Sequence, residues 1–534
     1  MSSDSEPKRK THVDGPTVVR PRLHDDEVLA RLGKKAVLKR NFGFLTILGF
    51  SCTVLVTWEG SLVYEALPSS IQCLLILSGS GGPSGLVYNF LVVWVGTLSV
   101  FAVLSELVSM APTSGGQYHW ISMLAPASWR KFFGYITGWL CIVGWQAVAA
   151  SSALLSASMI QGIILLCHPD YANTMQGWHG LLISWALVLF SFAVNAVIGS
   201  ILAKFEGLVL ILHLLGFFAI MLPLVLLGEH VSPADVFNNF VNNGGWPTQA
   251  LSSSIGMTGS VLAFLGGDAA MHMAEEIRGA PLVIPRSLFS GLILNGCLGF
   301  GMVVACMFSL GDLDEALAEN PNFPYMAIFH RAVGSRSGAA AMASIVVVLC
   351  CSATTGAMAS ASRILWAFSR DRGTPGKVAR RTGIPFNSVL LTAFISMLLS
   401  LINLGNATAF NGITTIQISG LCGSYLFVAT LLLYNRLAGH IQEPYDDNAI
   451  TNTMGKDLTW GPWRLRGYLG TANNAFACVY LIYVWFFAFW PASVQVTPPN
   501  FNWAVLPFTV ITLFSLLYYA LWARKTYAGP IIEF

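Results

Sequence analysis

Apolar residues run along this chain in stretches of about 20, separated by short polar segments. A helix of roughly 20 apolar residues can cross the hydrocarbon core of a bilayer. The pattern therefore predicts an all-α polytopic membrane protein with twelve transmembrane helices. The predicted spans cover residues 43–64, 86–108, 133–164, 178–199, 205–228, 251–275, 287–310, 339–368, 386–404, 412–433, 472–491 and 502–523.

The composition supports a protein that lives in the lipid bilayer. Of the 534 residues, 54% are hydrophobic and 10% are charged, whereas a soluble domain carries about 25% charged residues. There is no phosphate-binding loop, no soluble stretch long enough for an enzyme domain, and no Cys or His spacing typical of a metal site. We expect neither an enzyme, nor a metal or other cofactor, nor a nucleic-acid partner.

Lysine and arginine fix the expected orientation. With both termini inside, only Arg331 and Arg336 of the 29 basic residues fall in an outer loop, as the positive-inside rule requires. The charged run that ends the eighth span is then cytoplasmic, and we expect a solvated loop there. Cys73 and Cys167 lie near the outside, either as a disulfide or as two unpaired thiols.

The same pattern divides the chain into segments. We expect a disordered cytoplasmic tail (1–40), a transporter core of ten spans (41–433), a cytoplasmic loop (434–470), two further spans (471–523) and a cytoplasmic C-terminal tail (524–534).

The sixth span carries polar features that an apolar helix does not need. Gly266 and Gly267 precede Asp268, and Glu275 and Glu276 follow. A carboxylate at the centre of a membrane helix costs roughly 3 kcal/mol or more, and glycines weaken the helix at the same place. We therefore expect a binding site at the glycine pair. The two glutamates, nearer the cytoplasm, are expected to serve an inner gate or a water-filled vestibule rather than the substrate.

Two more ionisable side chains interrupt predicted spans. Glu59 in the first span is either functional or wetted from outside. His213 stands in the apolar run of the fifth span, either as a packing residue or as a proton carrier, because imidazole titrates near neutral pH.

Three motifs resemble those of amino acid–polyamine–organocation permeases. They are FLGGD with EEIRGAPLVIP in the sixth span and its exit, ELVSMAPTSGGQYHW at 106–120, and SASRILWAFSRDRGTP at 360–375. Their order and the predicted topology also match. The strongest resemblance is to the fungal branch that transports amino acids, GABA or choline. It rests on the sequence of the first span, the EE pair and the GGQYHW run.

The resemblance implies a LeuT-type fold, with spans 1–5 and 6–10 as inverted repeats and spans 11 and 12 peripheral. Spans 1 and 6 would unwind at the bilayer midplane, where exposed N–H groups attract a carboxylate and exposed carbonyls attract a cation. The break in the first span is expected between Ser51 and Gly60, around 56–58, and the break in the sixth span at the glycine pair. The implied substrate-binding residues are Thr57, Trp58, Glu59, Phe264, Leu265, Gly266, Gly267 and Asp268.

The resemblance also implies proton coupling. Asp268 matches a glutamate linked to substrate binding and gating, and His213 falls where some proton-coupled relatives carry a lysine in place of a sodium ion. We expect both to take part in coupling, with H⁺ as the coupling ion. Phe264, one turn before Asp268, is expected to stack over a bound ammonium.

The expected function is import of a small amino acid, GABA or a choline-like cation by proton symport and alternating access. Glu59, as an extra acid, favours a cation such as choline. The alternatives are a substrate exchanger and a nutrient receptor on the same fold, and the short predicted tails argue against the receptor. We expect the plasma membrane first and the vacuolar membrane second; the sequence does not indicate an oligomeric state.

Overall fold

The computed structural model describes residues 25–63, 81–196, 202–311, 323–374, 385–401, 408–443, 450–491, 493–497, 501–503 and 505–533. Two short strands pair in parallel, β1 (Ile441–Gln442) and β2 (Leu458–Thr459). The α-helices are α1 (Asp25–Arg31), α2 (Phe44–Leu55), α3 (Thr57–Val63), α4 (Gly82–Met110), α5 (Gln117–Leu124), α6 (Arg130–Cys167), α7 (Gly177–Ala196), α8 (Leu202–Leu227), α9 (Pro233–Phe237), α10 (Gln249–Gly256), α11 (Thr258–Phe264), α12 (Ala269–His272), α13 (Ala280–Phe308), α14 (Pro324–Val333), α15 (Arg336–Arg370), α16 (Phe386–Ser400), α17 (Thr408–Leu437), α18 (Gly467–Phe487), α19 (Val505–Tyr518) and α20 (Arg524–Thr526).

Ten helical stretches in the described part of the chain are long and apolar enough to cross a membrane, with α2 and α3 counted together as one. They coincide with ten of the twelve predicted spans. The longest are α6 with 38 residues and α15 with 35, and they pack against each other. The chain is a polytopic helical membrane protein.

The sixth and ninth predicted spans are not among these ten stretches. The sixth is divided into α10, α11, α12 and a 3₁₀ turn at Ala274–Glu276. The break between α11 and α12 falls at Gly266 and Gly267, as expected, because Gly266 adopts a positive φ that glycine tolerates. The ninth is α16, a helix of 15 residues. At 1.5 Å per residue it spans about 22 Å, less than the hydrocarbon core of about 30 Å; residues 402–407 lie outside the described part.

The first span breaks at Val56, within the predicted range. Its φ of 49° and ψ of 45° place this β-branched residue in the left-handed region, a strained conformation for it. The Gly60 N–H donates a 2.7 Å hydrogen bond to the Val56 carbonyl, so α3 begins directly after the break. The two halves of the first span are therefore distinct helices joined at one strained residue.

The first and sixth spans lie side by side. The sixth breaks where Leu265 is extended and Gly266 has a φ of 96°. Just before α2, the Phe42 N–H donates to the Glu276 carbonyl (3.2 Å), and the Arg278 N–H donates to the Phe42 carbonyl (3.1 Å). These backbone bonds hold the end of the sixth span against the start of the first.

The predicted disordered tail, residues 1–40, is folded where it is described, which corrects that expectation for residues 25–40. Leu29 and Leu32 are buried because their spacing of three puts them on one face of α1 and its exit. The Glu533 N–H donates to the Gly33 carbonyl (2.8 Å). The segment before the first span therefore packs against the C-terminal segment.

Candidate functional site

The two glycines at the sixth-span break have different structural roles. A side chain on Gly267 would place its Cβ 2.7 Å from the Phe101 ring, so packing forbids it. At Gly266 the positive φ is the constraint. The position of a Cβ there would be 3.6 Å from Val54 and 3.7 Å from Trp145, so Gly266 faces the space between the two breaks.

Asp268 follows this break and is completely buried. Its Oδ1 accepts a hydrogen bond from the Tyr425 hydroxyl (2.6 Å), and its Oδ2 accepts from Gln117 Nε2 (2.7 Å) and Trp145 Nε1 (3.3 Å). His272 Nε2 lies 3.3 Å from the same oxygen. We call these five residues the Asp268 cluster. Its donors compensate for the burial of a carboxylate.

The site is closed in this conformation. A cavity of about 20 Å³ adjoins the cluster, lined in part by Phe264, Leu265 and Tyr425. That volume fits about one water molecule and no amino acid. Phe264 packs against Phe90, with ring centroids 5.0 Å apart. Its stacking over a substrate ammonium stays a prediction.

The other predicted residues of the first span surround His213. Glu59 Oε1 lies 2.7 Å from His213 Nδ1, and Trp58 Nε1 lies 3.2 Å from the same nitrogen. Asn295 Oδ1 lies 2.9 Å from His213 Nε2. We call these four residues the His213 cluster. The structure thus divides the predicted site residues into two groups, and the substrate-binding role of Trp58 and Glu59 stays a prediction.

Two buried polar atoms near the first break lack partners. Within the described residues, neither the Thr57 hydroxyl nor Glu59 Oε2 has a hydrogen-bond partner. Both residues belong to α3, directly after Val56. Uncompensated polar atoms are costly in a membrane protein interior, so α3 keeps binding capacity that the closed conformation does not use.

The predicted inner-gate residues are paired with arginines of α15. Arg370 Nη1 donates to Glu275 Oε2 (2.8 Å), and Arg363 Nε donates to Glu276 Oε1 (2.9 Å). The Ser114 N–H also lies 3.3 Å from Glu275 Oε1. These pairs join the exit of the sixth span to the end of α15. This geometry fits a closed gate, although the gating role itself stays a prediction.

The charged run at the end of the eighth span was expected to be a solvated loop, and its described part, up to Thr374, corrects this for Arg363 and Asp371. Arg363 and Asp371 are 2% and 1% exposed. Lys34 forms a 2.5 Å ion pair with Asp371, and the Tyr118 hydroxyl donates to the same carboxylate (2.8 Å). Arg363 and Asp371 are buried, and the N-terminal segment and α5 supply the partners of Asp371, whereas Arg372 is exposed.

The C-terminal segment adds a further acid to this network. Arg370 Nε donates to Glu533 Oε1 (2.7 Å), and the Lys35 N–H donates to Glu533 Oε2 (2.9 Å). Burial alone would raise the pKa of Glu533, but these hydrogen bonds outweigh it and hold the pKa at about 2. Glu533 is therefore ionised. It links the C-terminal segment and the segment at Lys35 to Arg370, the arginine that also binds Glu275 and is called the gate arginine below.

Sequence reasoning missed several partners. Four of them are polar side chains within apolar or small-residue stretches of the sequence: Gln117, Trp145, Tyr425 and Asn295. This contrast was the signal in the sequence that could have identified them. Glu206 on α8 was also missed, although it interrupts the same apolar run as His213. Glu206 is completely buried, and within the described residues neither carboxylate oxygen meets hydrogen-bond geometry.

No metal centre was expected. In the described ranges, no group of three or more His, Cys, Asp and Glu side chains is arranged to hold a metal ion. Cys167 is exposed, whereas Cys73 lies outside the described residues, so their pairing is untested.

Comparison with known proteins identifies the family. A family model described as "Amino acid permease" matches residues 42–514. The chain is 27% identical to the choline transporter of Saccharomyces cerevisiae, over 92% of this chain and 83% of that protein. It is also 27% identical to the amino-acid permease BAT1 of Arabidopsis thaliana, over 94% and 95%, and 28% identical to the BAT1 homolog of Oryza sativa subsp. japonica, over 94% and 95%.

The family match spans all ten apolar helical stretches, apart from the end of the last. The broken first and sixth spans and the buried acid between them lie within it. The chain therefore belongs to the amino acid permease family of the amino acid–polyamine–organocation superfamily, and it is a transporter rather than an enzyme.

Proposed function

We propose that this chain is a proton symporter that imports a small amine-bearing solute by alternating access, with Asp268 at the centre of the binding site. The observation that carries this proposal is the position of Asp268. It is a fully buried carboxylate directly after a helix break, and the break faces Val54 at the end of α2. An acid in a membrane interior marks a functional site by default.

The Asp268 cluster suits a substrate with a positively charged nitrogen. Its carboxylate attracts the ammonium. Trp145, which donates to Asp268 and lies beside Gly266, offers an aromatic ring for a cation–π contact. Backbone N–H groups at the start of α3, directly after the Val56 break, would supply dipoles for a substrate carboxylate, where the substrate has one.

We propose an amino acid, GABA or choline as the substrate. The similarity to a choline transporter and to amino-acid permeases supports this range. As a second acid for the substrate, Glu59 would favour a net cation. Since Glu59 lies against His213, that argument for choline rests on Asp268 alone.

We assign proton coupling to His213 together with Asp268, and a LeuT-type arrangement to the helices. The adjacent breaks at Val56 and Gly266 support the arrangement. The arginine pairs of Glu275 and Glu276 would open when the site faces the cytoplasm. We further propose cytoplasmic termini, from the basic residues of the inner loops, and the plasma membrane as the location.

Uptake competition identifies the substrate. Cells that express the chain take up radiolabelled choline, GABA or a basic amino acid, each in the presence of an excess of the other two. We expect saturable uptake of one solute that Asp268→Asn abolishes at unchanged surface expression. Near-normal uptake by Asp268→Asn would remove Asp268 from the mechanism, and uptake that needs preloaded substrate and ignores a pH gradient would favour an exchanger.

A further inference from the structure

The hydrogen bonds of the His213 cluster determine where its protons lie. The imidazole is completely buried on α8. Its Nδ1 faces Glu59 Oε1 at 2.7 Å and Trp58 Nε1 at 3.2 Å, and its Nε2 faces Asn295 Oδ1 at 2.9 Å. Helices α3, α8 and α13 therefore meet at one titratable ring.

Asn295 fixes the hydrogen on one ring nitrogen. Its Nδ2 donates a 3.1 Å hydrogen bond to the Cys52 carbonyl, and a carbonyl can only accept. The amide nitrogen must therefore face Cys52, and the amide oxygen must face the ring. Because that oxygen also only accepts, Nε2 of His213 must carry a hydrogen, and the variable proton is the one between Nδ1 and Glu59.

The environment of Nδ1 requires one shared proton. If Glu59 is a carboxylic acid, its O–H and the Trp58 N–H both donate to a bare Nδ1. If the proton moves to Nδ1, an imidazolium donates to the Glu59 carboxylate, and the indole N–H loses its acceptor. With no shared proton, two acceptors face each other at 2.7 Å, which is repulsive. Both favourable states carry no net charge, as burial demands.

We propose that Glu59 and His213 together hold one transferable proton, and that Asn295 is the positioning residue that confines it to the Glu59 side of the ring. This inference rests on the proton-coupled transport proposed above, and it moves Glu59 from substrate binding to coupling. Transfer from Glu59 Oε1 to His213 Nδ1 leaves a carboxylate and an imidazolium; loss of the proton to water leaves one net negative charge.

The neighbouring groups do not compensate for that charge. Among the described residues, the thiols of Cys52 on α2 and Cys350 on α15 also interact electrostatically with Glu59. A thiol supplies no positive charge, so release of the proton in the closed conformation would bury a net charge. Glu59 follows the strained Val56 by three residues. Movement of α3 at that break therefore exposes the pair to water and permits release.

Infrared difference spectroscopy of the purified full chain in lipid tests the shared proton without substrate or gradient. A pH titration follows the C=O stretch of a protonated carboxyl group. We expect a carboxyl signal that is absent in Glu59→Gln. In Asn295→Leu, the ring is able to place a hydrogen on Nδ1 and donate it to ionised Glu59. The signal should then disappear at a pH lower by about one unit or more, the effect of one buried hydrogen bond.

The matched control is Asn89→Leu. Asn89 on α4 also donates to a helix carbonyl, that of Ser253 (2.9 Å), and this variant should keep the wild-type midpoint. An unchanged carboxyl signal in Glu59→Gln, or a wild-type midpoint in Asn295→Leu, overturns the proposal. If Glu59→Gln fails to fold, the Asn295→Leu midpoint still decides. Transport that ignores a pH gradient would refute the proposed function while this signal remained.

Discussion

Tyr425 donates a 2.6 Å hydrogen bond to Asp268, which joins α17 to the break in the sixth span. The two residues are 157 positions apart in the chain. The hydroxyl fixes the direction in which the carboxylate presents its oxygens. The geometry of the acid therefore depends on a helix that the sequence motifs did not single out.

Replacing Tyr425 should weaken substrate binding. Tyr425→Phe keeps the ring and removes the donor, so Asp268 loses a charge-assisted hydrogen bond of about 1.5 kcal/mol. We expect the KM for uptake to rise about tenfold at unchanged expression, measured as initial rates of radiolabelled substrate uptake. Tyr88→Phe, on the exposed side of α4, is the control. An unchanged KM would show that the hydroxyl does not orient Asp268.

His213→Ala should abolish concentrative uptake. The substitution removes the ring that faces Glu59 and Asn295, so the cluster no longer holds a transferable proton. Accumulation of substrate against its gradient, driven by an acidic exterior, is the measurement. His168→Ala changes an exposed histidine just after α6 and should leave uptake intact. If concentrative uptake survives in His213→Ala, the residue serves only packing.

Glu533→Gln should loosen the C-terminal segment. At neutral pH the carboxylate is ionised and bound to Arg370, since its pKa is about 2. Its contribution is complete above the unfolded value of about 4.5 and is lost as the pH falls toward about 2. The neutral amide should therefore speed hydrogen exchange of the C-terminal residues at least severalfold at neutral pH.

The control for this comparison is Glu443→Gln. Glu443 pairs with Arg464 on the surface, away from the gate arginine. Wild-type protection of the C-terminal residues in Glu533→Gln would mean that backbone contacts alone hold the segment.

His119 should make the protein less stable in acid. Burial, together with the charge of Lys34, lowers its pKa to about 4, and its Nε2 lies 3.1 Å from the Asn452 carbonyl. In the unfolded chain the pKa of His119 is about 6.5, so the unfolded chain binds the proton first as the pH decreases. Stability therefore decreases as the pH decreases below about 6.5. The loss is about 2 kcal/mol at about pH 5.

Thermal unfolding in detergent at neutral and acidic pH measures this loss. His119→Gln keeps a donor for Asn452 but cannot take a proton, and it should flatten the pH dependence. An equal fall in melting temperature for both proteins would assign the acid sensitivity to other groups.

The breaks could be predicted from sequence because their signals are local. A glycine pair beside an acid within an apolar run marks the sixth-span break wherever the rest of the chain lies. The first break was placed correctly at 56–58 by resemblance, and the structure puts it at Val56.

The pairings could not be predicted, because they depend on distant residues. His213 and Glu59 are 154 positions apart, and Arg370 and Glu533 are 163 apart. A charged run at a helix end looks the same in sequence whether it is solvated or buried. Arg370 and Asp371 are covered by α1 with its exit and by the C-terminal residues. The sequence near the two residues does not show this cover.

Flux in proteoliposomes under an imposed pH gradient tests the central claim, proton-driven transport through the Asp268 site. With an acidic exterior, wild-type protein should accumulate the labelled substrate above its external concentration, and a protonophore should abolish accumulation. Asp268→Asn should show neither uptake nor accumulation. Uptake of equal extent with and without the gradient, or accumulation that persists in Asp268→Asn, would contradict the account.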